Sequence, residues 1–239
     1  MSRAFLLLLI ISSNILIGQS LKVSYKVTAE SIFDTNRPDT LPDMVKKTFK
    51  DAERNFVNIS YMLSINNNES SFEMEDLLLN DAGGNGRLAK ALAGFTGKIY
   101  CNKAKDIKLK QSDVYGQTFL ISSSFNTIKW KITNESKDVR GFKTFKATGT
   151  EEYETGKGKE EWNLVAWFSP EINIPFGPGG YGNLPGLILE LERGGKTYSA
   201  SKIETDKTIQ IERPKEGKLI SQTDFDKIGR NISKEISDN

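Results

Sequence analysis

Histidine is missing altogether from this chain of 239 residues, and cysteine occurs once, as Cys101. Without histidine, neither a Ser-His-Asp nor a Cys-His nucleophilic centre can be assembled. Zinc sites that need imidazole are excluded as well, and one thiol cannot make an all-thiolate site. General acid–base chemistry near neutral pH would fall to carboxylates, lysine or tyrosine. A single cysteine also excludes an internal disulfide, so stability has to come from a packed core. Charge of one sign is not in excess: 33 basic against 31 acidic residues leaves +2. That balance supplies no concentrated basic surface, so nucleic acid is not an expected partner. No cofactor is expected either.

Long apolar runs are absent beyond the N-terminus. There, Arg3 precedes an apolar stretch from Ala4 to Ile11, then Ser12-Ser13-Asn14 and Ile15-Leu16-Ile17-Gly18. The stretch falls short of the ~20 apolar residues that a membrane-spanning helix needs. A basic start, a short apolar region and small residues at Gly18 and Ser20 read as a secretory signal peptide, residues 1–20, cleaved after Gly18 or after Ser20. Its removal takes away Arg3 and no acid, so the charge goes from +2 to +1. No membrane-spanning segment is expected after that. Residues 21–239 are expected to form one β-rich domain.

What the chain does have is alternation. Val23, Tyr25, Val27 and Ala29 share one face of a strand, as do Ile59, Tyr61, Leu63 and Ile65. Strands are also expected at 71–74, 99–103, 107–111, 118–122, 127–132, 142–148, 161–169, 187–192, 197–203 and 208–212, with a hairpin tip at Gly156-Lys157-Gly158. The alternation over 127–132 places Ile128, Trp130 and Ile132 inward. Pro38 and Pro42 break the pattern, and Asp43 then caps a helix carrying Val45, Phe49, Ala52 and Phe56. A second short helix is expected over Arg87–Ala93, ended by Gly94. A third, from about Asp224 to Ile236, carries Phe225, Ile228, Ile232 and Ile236 as its stripe. The fold class is mainly β (α+β): a large curved antiparallel sheet, half-barrel or β-sandwich-like, with a short N-terminal helix and a C-terminal helix.

Proline is scarce, yet four of the seven lie between Pro170 and Pro185, and eight of the twelve residues from Pro175 to Gly186 are Gly or Pro. Proline fixes φ near −65° and glycine admits positive φ. Together they specify one unusual path rather than a loose linker. Four X-Pro bonds here, before Pro170, Pro175, Pro178 and Pro185, are candidates for the cis isomer. Two roles stay open: a structural crossover that plugs the sheet, or a rigid binding lip with Phe176 and Tyr181 as aromatic anchors. The strand before it is apolar on both faces, Trp162, Leu164, Ala166 and Phe168 against Val165 and Trp167, so it is either core or the wall of a cavity.

Gly182-Asn183-Leu184-Pro185-Gly186-Leu187-Ile188, with Ala166-Trp167-Phe168-Ser169-Pro170-Glu171-Ile172 and Ile174-Pro175-Phe176-Gly177-Pro178 upstream, resembles the GLPGLI family of exported proteins, typical of Bacteroidota. Trp130-Lys131-Ile132 and Gly141-Phe142-Lys143-Thr144-Phe145-Lys146-Ala147 are similar to a further family segment. The chain departs at Asn183, where the family name has its first Gly, and at Thr144, a position that often carries Cys. The resemblance implies an exported protein without established enzymatic activity, acting beside outer-membrane transport systems. It implies no catalytic residue. The expected function is therefore a non-enzymatic binding or accessory protein in the periplasm or at the outer membrane. Its partner would be a protein, such as an outer-membrane transport protein, or an apolar ligand. Candidate binding residues are Trp167, Phe176, Tyr181, Pro185 and Gly186.

Two weaker clusters complete the reading. Asp76, Asp81 and Asn85 miss the EF-hand pattern and are read as a solvated loop. Glu151, Glu152, Glu154, Glu160 and Glu161 flank one hairpin and are read as a solvated face. The alternative is a carboxylate hydrolase, which needs two carboxyl groups ~5–9 Å apart in a cleft.

Overall fold

The computed structural model describes residues 20–29, 42–75, 83–114, 116–155 and 158–237. The signal segment apart from Ser20, the Pro38 break, Asp76, Asp81 and the tip residues Gly156 and Lys157 lie outside the described residues. In chain order the elements are β1 (Ser20–Ala29), α1 (Asp43–Arg54), β2 (Ser60–Asn66), β3 (Glu69–Met74), α2 (Gly83–Leu92), β4 (Lys98–Asn102), β5 (Ile107–Val114) and β6 (Gln117–Ser123). They continue with β7 (Lys131–Val139), β8 (Phe142–Thr155), β9 (Gly158–Ser169), β10 (Leu187–Arg193), β11 (Lys196–Thr205), β12 (Lys218–Ser221) and α3 (Gln222–Ser237).

The twelve strands of the described residues join one sheet in the order β12-β6-β5-β4-β3-β2-β1-β11-β10-β9-β8-β7. Its edges, β12 and β7, are not paired to each other. Every pair is antiparallel except β12 with β6, which is parallel, so the sheet is mixed rather than antiparallel throughout. The expected strand at 208–212 is the reason. That segment is irregular: Ile209 and Pro214 are buried and Ile211 packs on Tyr100, Leu109 and Leu120. It carries the chain over the outer face of β4–β6, so that β12 enters alongside β6.

The topology forces the sheet to roll. β6 and β7 stand ten places apart in the sheet order, about 48 Å if flat at ~4.8 Å per strand. Only residues 124–130 join them, and that length of chain reaches at most about 29 Å. The two ends of the sheet must therefore curl toward each other. α3 packs against both β6 and β8, spanning the gap, with Phe225 edge-on to Phe119. The joining segment itself corrects an expectation. Residues 127–130 pair with no strand, Ile128 is buried, Trp130 is half-buried and Ile132 is half exposed. The real strand β7 is a polar edge.

Alternation along the strands fills the inner face. Val23, Tyr25, Tyr61, Leu63, Phe72, Leu164, Phe168, Leu191 and Tyr198 form one core with Ala52 and Phe56 from the α1 region and Ala89 and Ala93 from the end of α2. Tyr198 and Tyr61 both donate to the Ala93 carbonyl, at 2.7 and 3.2 Å, fixing the end of α2 over the sheet. Phe95 follows, with ring centroids 4.7 Å from Tyr198, 5.5 Å from Phe72 and 6.2 Å from Tyr181.

The proline-glycine segment between β9 and β10 closes this core from above. Its 3-10 turn, Pro178–Gly180, is buried and lies against β3 and β4. Gly179 sits at φ +66°, and a Cβ there would come 2.2 Å from the Phe95 ring. Gly180 at φ +72° would meet Ile99 at 2.8 Å and Cys101 Sγ at 3.1 Å. No described peptide bond is cis, so the X-Pro bonds of the segment are all trans. No described helix is long and apolar enough to cross a membrane.

Gly179→Ala is expected to cost about 2–5 kcal/mol in urea unfolding, combining left-handed strain with overpacking against a caged ring. Gly141→Ala shares the positive φ, +82°, but has open space around it, so it should cost only about 1–2 kcal/mol. Equal losses would mean that Phe95 yields without cost. Burial pushes the Cys101 thiol up to about 11 against a smaller opposing pull from Lys108. A thiol reagent at pH 8 should label the native protein only as fast as it unfolds, whereas prompt native labelling would contradict the packing of the turn over Cys101.

Candidate functional site

Three inner strand faces that begin apolar end in charge or aromatic rings. On β10, Arg193 keeps the parity of Leu191; on β8, Glu151 keeps that of Ala147; on β9, Trp162 keeps that of Leu164. Register sets them side by side, with Glu151 opposite Trp162 and Arg193 opposite Leu164. β7 leaves β8 at Thr148 and β10 leaves β9 at Leu164. Beyond those points the β8–β9 hairpin runs on as a two-stranded ribbon, and the charged corner lies at its base.

Tyr181 reaches this corner from the loop. Its hydroxyl donates to Glu151 Oε2 at 2.5 Å, and Arg193 Nε donates to the same Oε2 at 2.7 Å and to the Tyr181 oxygen at 2.6 Å. The Arg193 and Glu151 side chains are only 17% and 22% exposed. Burial, with Glu151 adding to it, pushes the Tyr181 hydroxyl well above its ordinary value against the pull of Arg193. Burial alone would lower Arg193; Tyr181 and Glu151 outweigh it and raise it. Tyr181 therefore stays neutral and Arg193 charged at neutral pH. The guanidinium carbon lies 3.7 Å from the Trp162 ring centre, and Tyr153 stacks on the same indole with ring centroids 4.0 Å apart. Lys108, from β5 across the roll, places its ammonium 5.0 Å from the Tyr181 ring.

The five sequence-predicted residues are distributed unevenly. Phe176 and Tyr181 are 1% and 3% exposed, both facing inward. Gly186 is buried at φ +156°, where a Cβ would lie 2.1 Å from the Ser169 carbonyl oxygen. Pro185 is exposed on the same corner. Trp167 is on the opposite face of β9, half-buried, with Lys137 and Lys146 ammoniums 4.3 and 5.9 Å from its ring. Asn183 has φ +64°. Asn is the side chain that best tolerates this region after Gly. Its backbone N–H bonds the Pro175 carbonyl, while Trp130 Nε1 donates to Gly182 at 2.9 Å.

The acidic hairpin divides by parity. Glu151 points to Arg193, and Glu160, further out on the same face, accepts from Tyr153; Glu152 and Glu161 lie on the other face, where Glu152 pairs with Lys159. Glu151 and Glu152 therefore do not face one cleft as a carboxylate pair. Asn85 belongs to α2, and among the described residues no group of three or more His, Cys, Asp or Glu could hold a metal ion.

A family described as "Protein of unknown function (Porph_ging)" matches residues 152–190, which takes in the ribbon's returning strand and the whole proline-glycine corner. No curated protein matches the chain. Among solved structures, PNGF-II in a C2 crystal form is 12% identical with a TM-score of 0.53, covering 88% of this chain and 32% of that one. PNGF-II in a P21 form is 13% identical with a TM-score of 0.51, covering 88% and 33%. The chain thus spans about a third of the length of PNGF-II and shares the fold of that part.

Proposed function

We propose that the chain is an exported, non-enzymatic binding or accessory protein of GLPGLI type, working in the periplasm or at the outer membrane. It recognises a protein partner, such as an outer-membrane transport protein, at the rim beside the ribbon rather than an apolar ligand within the roll. One observation carries this reading: the inner face is already filled. Phe176, Tyr181 and Leu184 from the loop meet Phe95 and the strand side chains, all 7% exposed or less. An apolar cargo would have to displace a segment built of fixed prolines and tightly seated glycines. The motif residues are spent on that seat, with Leu184 at 2% and Leu187 and Ile188 at 0% exposure. The inward carboxylate, Glu151, is committed to Arg193 and Tyr181, which favours recognition over turnover. The matched segment 152–190 covers the same corner.

A photo-crosslinking residue at Glu161, on the ribbon, should give one discrete adduct in intact cells, and the same residue at Leu219 on β12 should not. Absence of any ribbon adduct in the envelope would overturn the partner reading. An environment-sensitive apolar dye should show no saturable uptake by the native protein; one-to-one uptake would restore the ligand reading. Tyr181→Phe should cost about 1–3 kcal/mol of stability by stranding a half-buried ion pair while leaving the adduct intact. Unchanged stability with a lost adduct would instead make Tyr181 a contact residue.

A further inference from the structure

Ser20, the first of the described residues, is already part of the sheet. It opens β1, is 7% exposed, and stands opposite Asn66 of β2. Its hydroxyl donates to Asn66 Oδ1 at 3.2 Å, and Asn66 Nδ2 donates in turn to the Ile209 carbonyl at 2.9 Å. The Ser20 carbonyl accepts from the Asp206 N–H at 3.2 Å, just past the end of β11. Lys22, two residues on, holds the Asp206 carboxylate at 2.7 Å. β1 is therefore gripped on both sides from its first residue.

That grip bears on where the signal peptide ends. Small residues at Gly18 and Ser20 allow a cut after either one. A cut after Ser20 would delete the residue that answers the Asp206 N–H and donates to Asn66. It would also turn the Leu21 amide into an ammonium within the ladder, where Leu21 stands between Ile65 and Thr205. Leu21 packs against the core, and a charge brought there loses hydration that the neutral amide does not need. A cut after Gly18 takes nothing from the sheet, because Ser20 keeps its amide, its hydroxyl and its carbonyl. It leaves Gln19 as the first residue.

We propose that the mature chain begins at Gln19 and that Gln19 is closed to pyroglutamate, which makes this terminus a modification site. The proposal rests on the export reading. In the closure the Gln19 α-amino nitrogen attacks its own side-chain amide carbon. A C–N bond forms as the bond to the amide nitrogen breaks, and the amine gives one proton to the departing nitrogen, which leaves as ammonia. Nothing is oxidised or reduced, and no co-reactant is consumed. An α-amine titrates at about 7.7–8.0, so a share of it is unprotonated and nucleophilic at neutral pH. The lactam puts a neutral terminus in place of a charged one beside a residue that the sheet already holds.

Intact-mass and N-terminal analysis of the protein isolated from the envelope of its own cells tests this. The expected species begins at Gln19 and is lighter by one ammonia than the sequence from 19 to 239. It is blocked to stepwise N-terminal degradation, and a pyroglutamyl aminopeptidase opens it to a chain starting at Ser20. Gln19→Ala should give the same cut with a free amine. A mature chain that starts at Leu21, or at an open Gln19, would overturn the proposal and leave the export reading standing. A chain that keeps Met1 and stays in the cytoplasm would overturn the export reading, and the proposal with it. The fit of Ser20 has its own measurement. Protein released in vitro to start at Leu21 should melt about 2–4 °C or more below protein that starts at Gln19, the shift that one lost hydrogen bond gives in a domain of this size. Equal melting would make Ser20 dispensable and overturn the choice of cut.

Discussion

The bare backbone of Gly179 and Gly180 lies against Phe95, Ile99 and Cys101, and the remaining architecture depends on that contact. The turn starts from β9 and β10 yet rests on β3 and β4, strands four to six places away in the sheet. It can bridge them because the sheet is rolled, and the roll encloses a filled interior because the turn is there. Side chains at those glycines would hold the two walls apart. The stacked pair Tyr61–Phe72, 5.1 Å between centroids, and the ring of Phe95 above it make a floor that cannot recede. Proline supplies the complement, since a segment with fixed φ loses less entropy on being held in one path.

The same closure sets the electrostatics of the corner. Once Tyr181 is inside, its hydroxyl needs a partner, and a buried polar group left alone costs about 1–3 kcal/mol. Glu151 and Arg193 satisfy it and each other. The arrangement is a closed triangle of hydrogen bonds with an aromatic lid, Trp162 over the guanidinium. Lys108, delivered from β5, then stands over the ring of that tyrosine.

Much of this architecture was legible in the residue pattern, and the gaps have physical causes. Tyr25, Tyr61 and Tyr198 sit on clean period-two stripes and are buried where the stripes place them. β7 was not legible. Its sequence, Lys131–Val139, is polar on both faces because it is an edge, while the neighbouring 127–132 alternates without being a strand over most of its length. β5 was legible as a strand but not in its facing, because its leucine serves the small outer cluster and its lysines the inside. The proline-glycine segment was legible as a rigid corner; that its tyrosine turns inward was not. In the sequence Glu151 groups with acidic neighbours that read as a solvated face, and no motif marks Arg193. The signal for both was present: each is a charge that continues the parity of a buried apolar stripe, and a charge in that position needs a partner close by.

The first strand of the sheet lies near its middle. β1 is held between β2, which follows it closely in sequence, and β11, some 175 positions later, with Val23 opposite both Leu63 and Ile203. Residues on either side of that strand form two half-sheets that meet nowhere else in the ladder. Loop-closure entropy must be overcome before this long-range pairing is rewarded, so assembly is intrinsically slow. Until nearly all of the polypeptide is present, β1 has β2 on one side and an open hydrogen-bonding edge on the other. A chain of this topology completes its structure late, and during that interval it is exposed to strand exchange with its own copies, each able to donate its β11 to the open edge of another's β1.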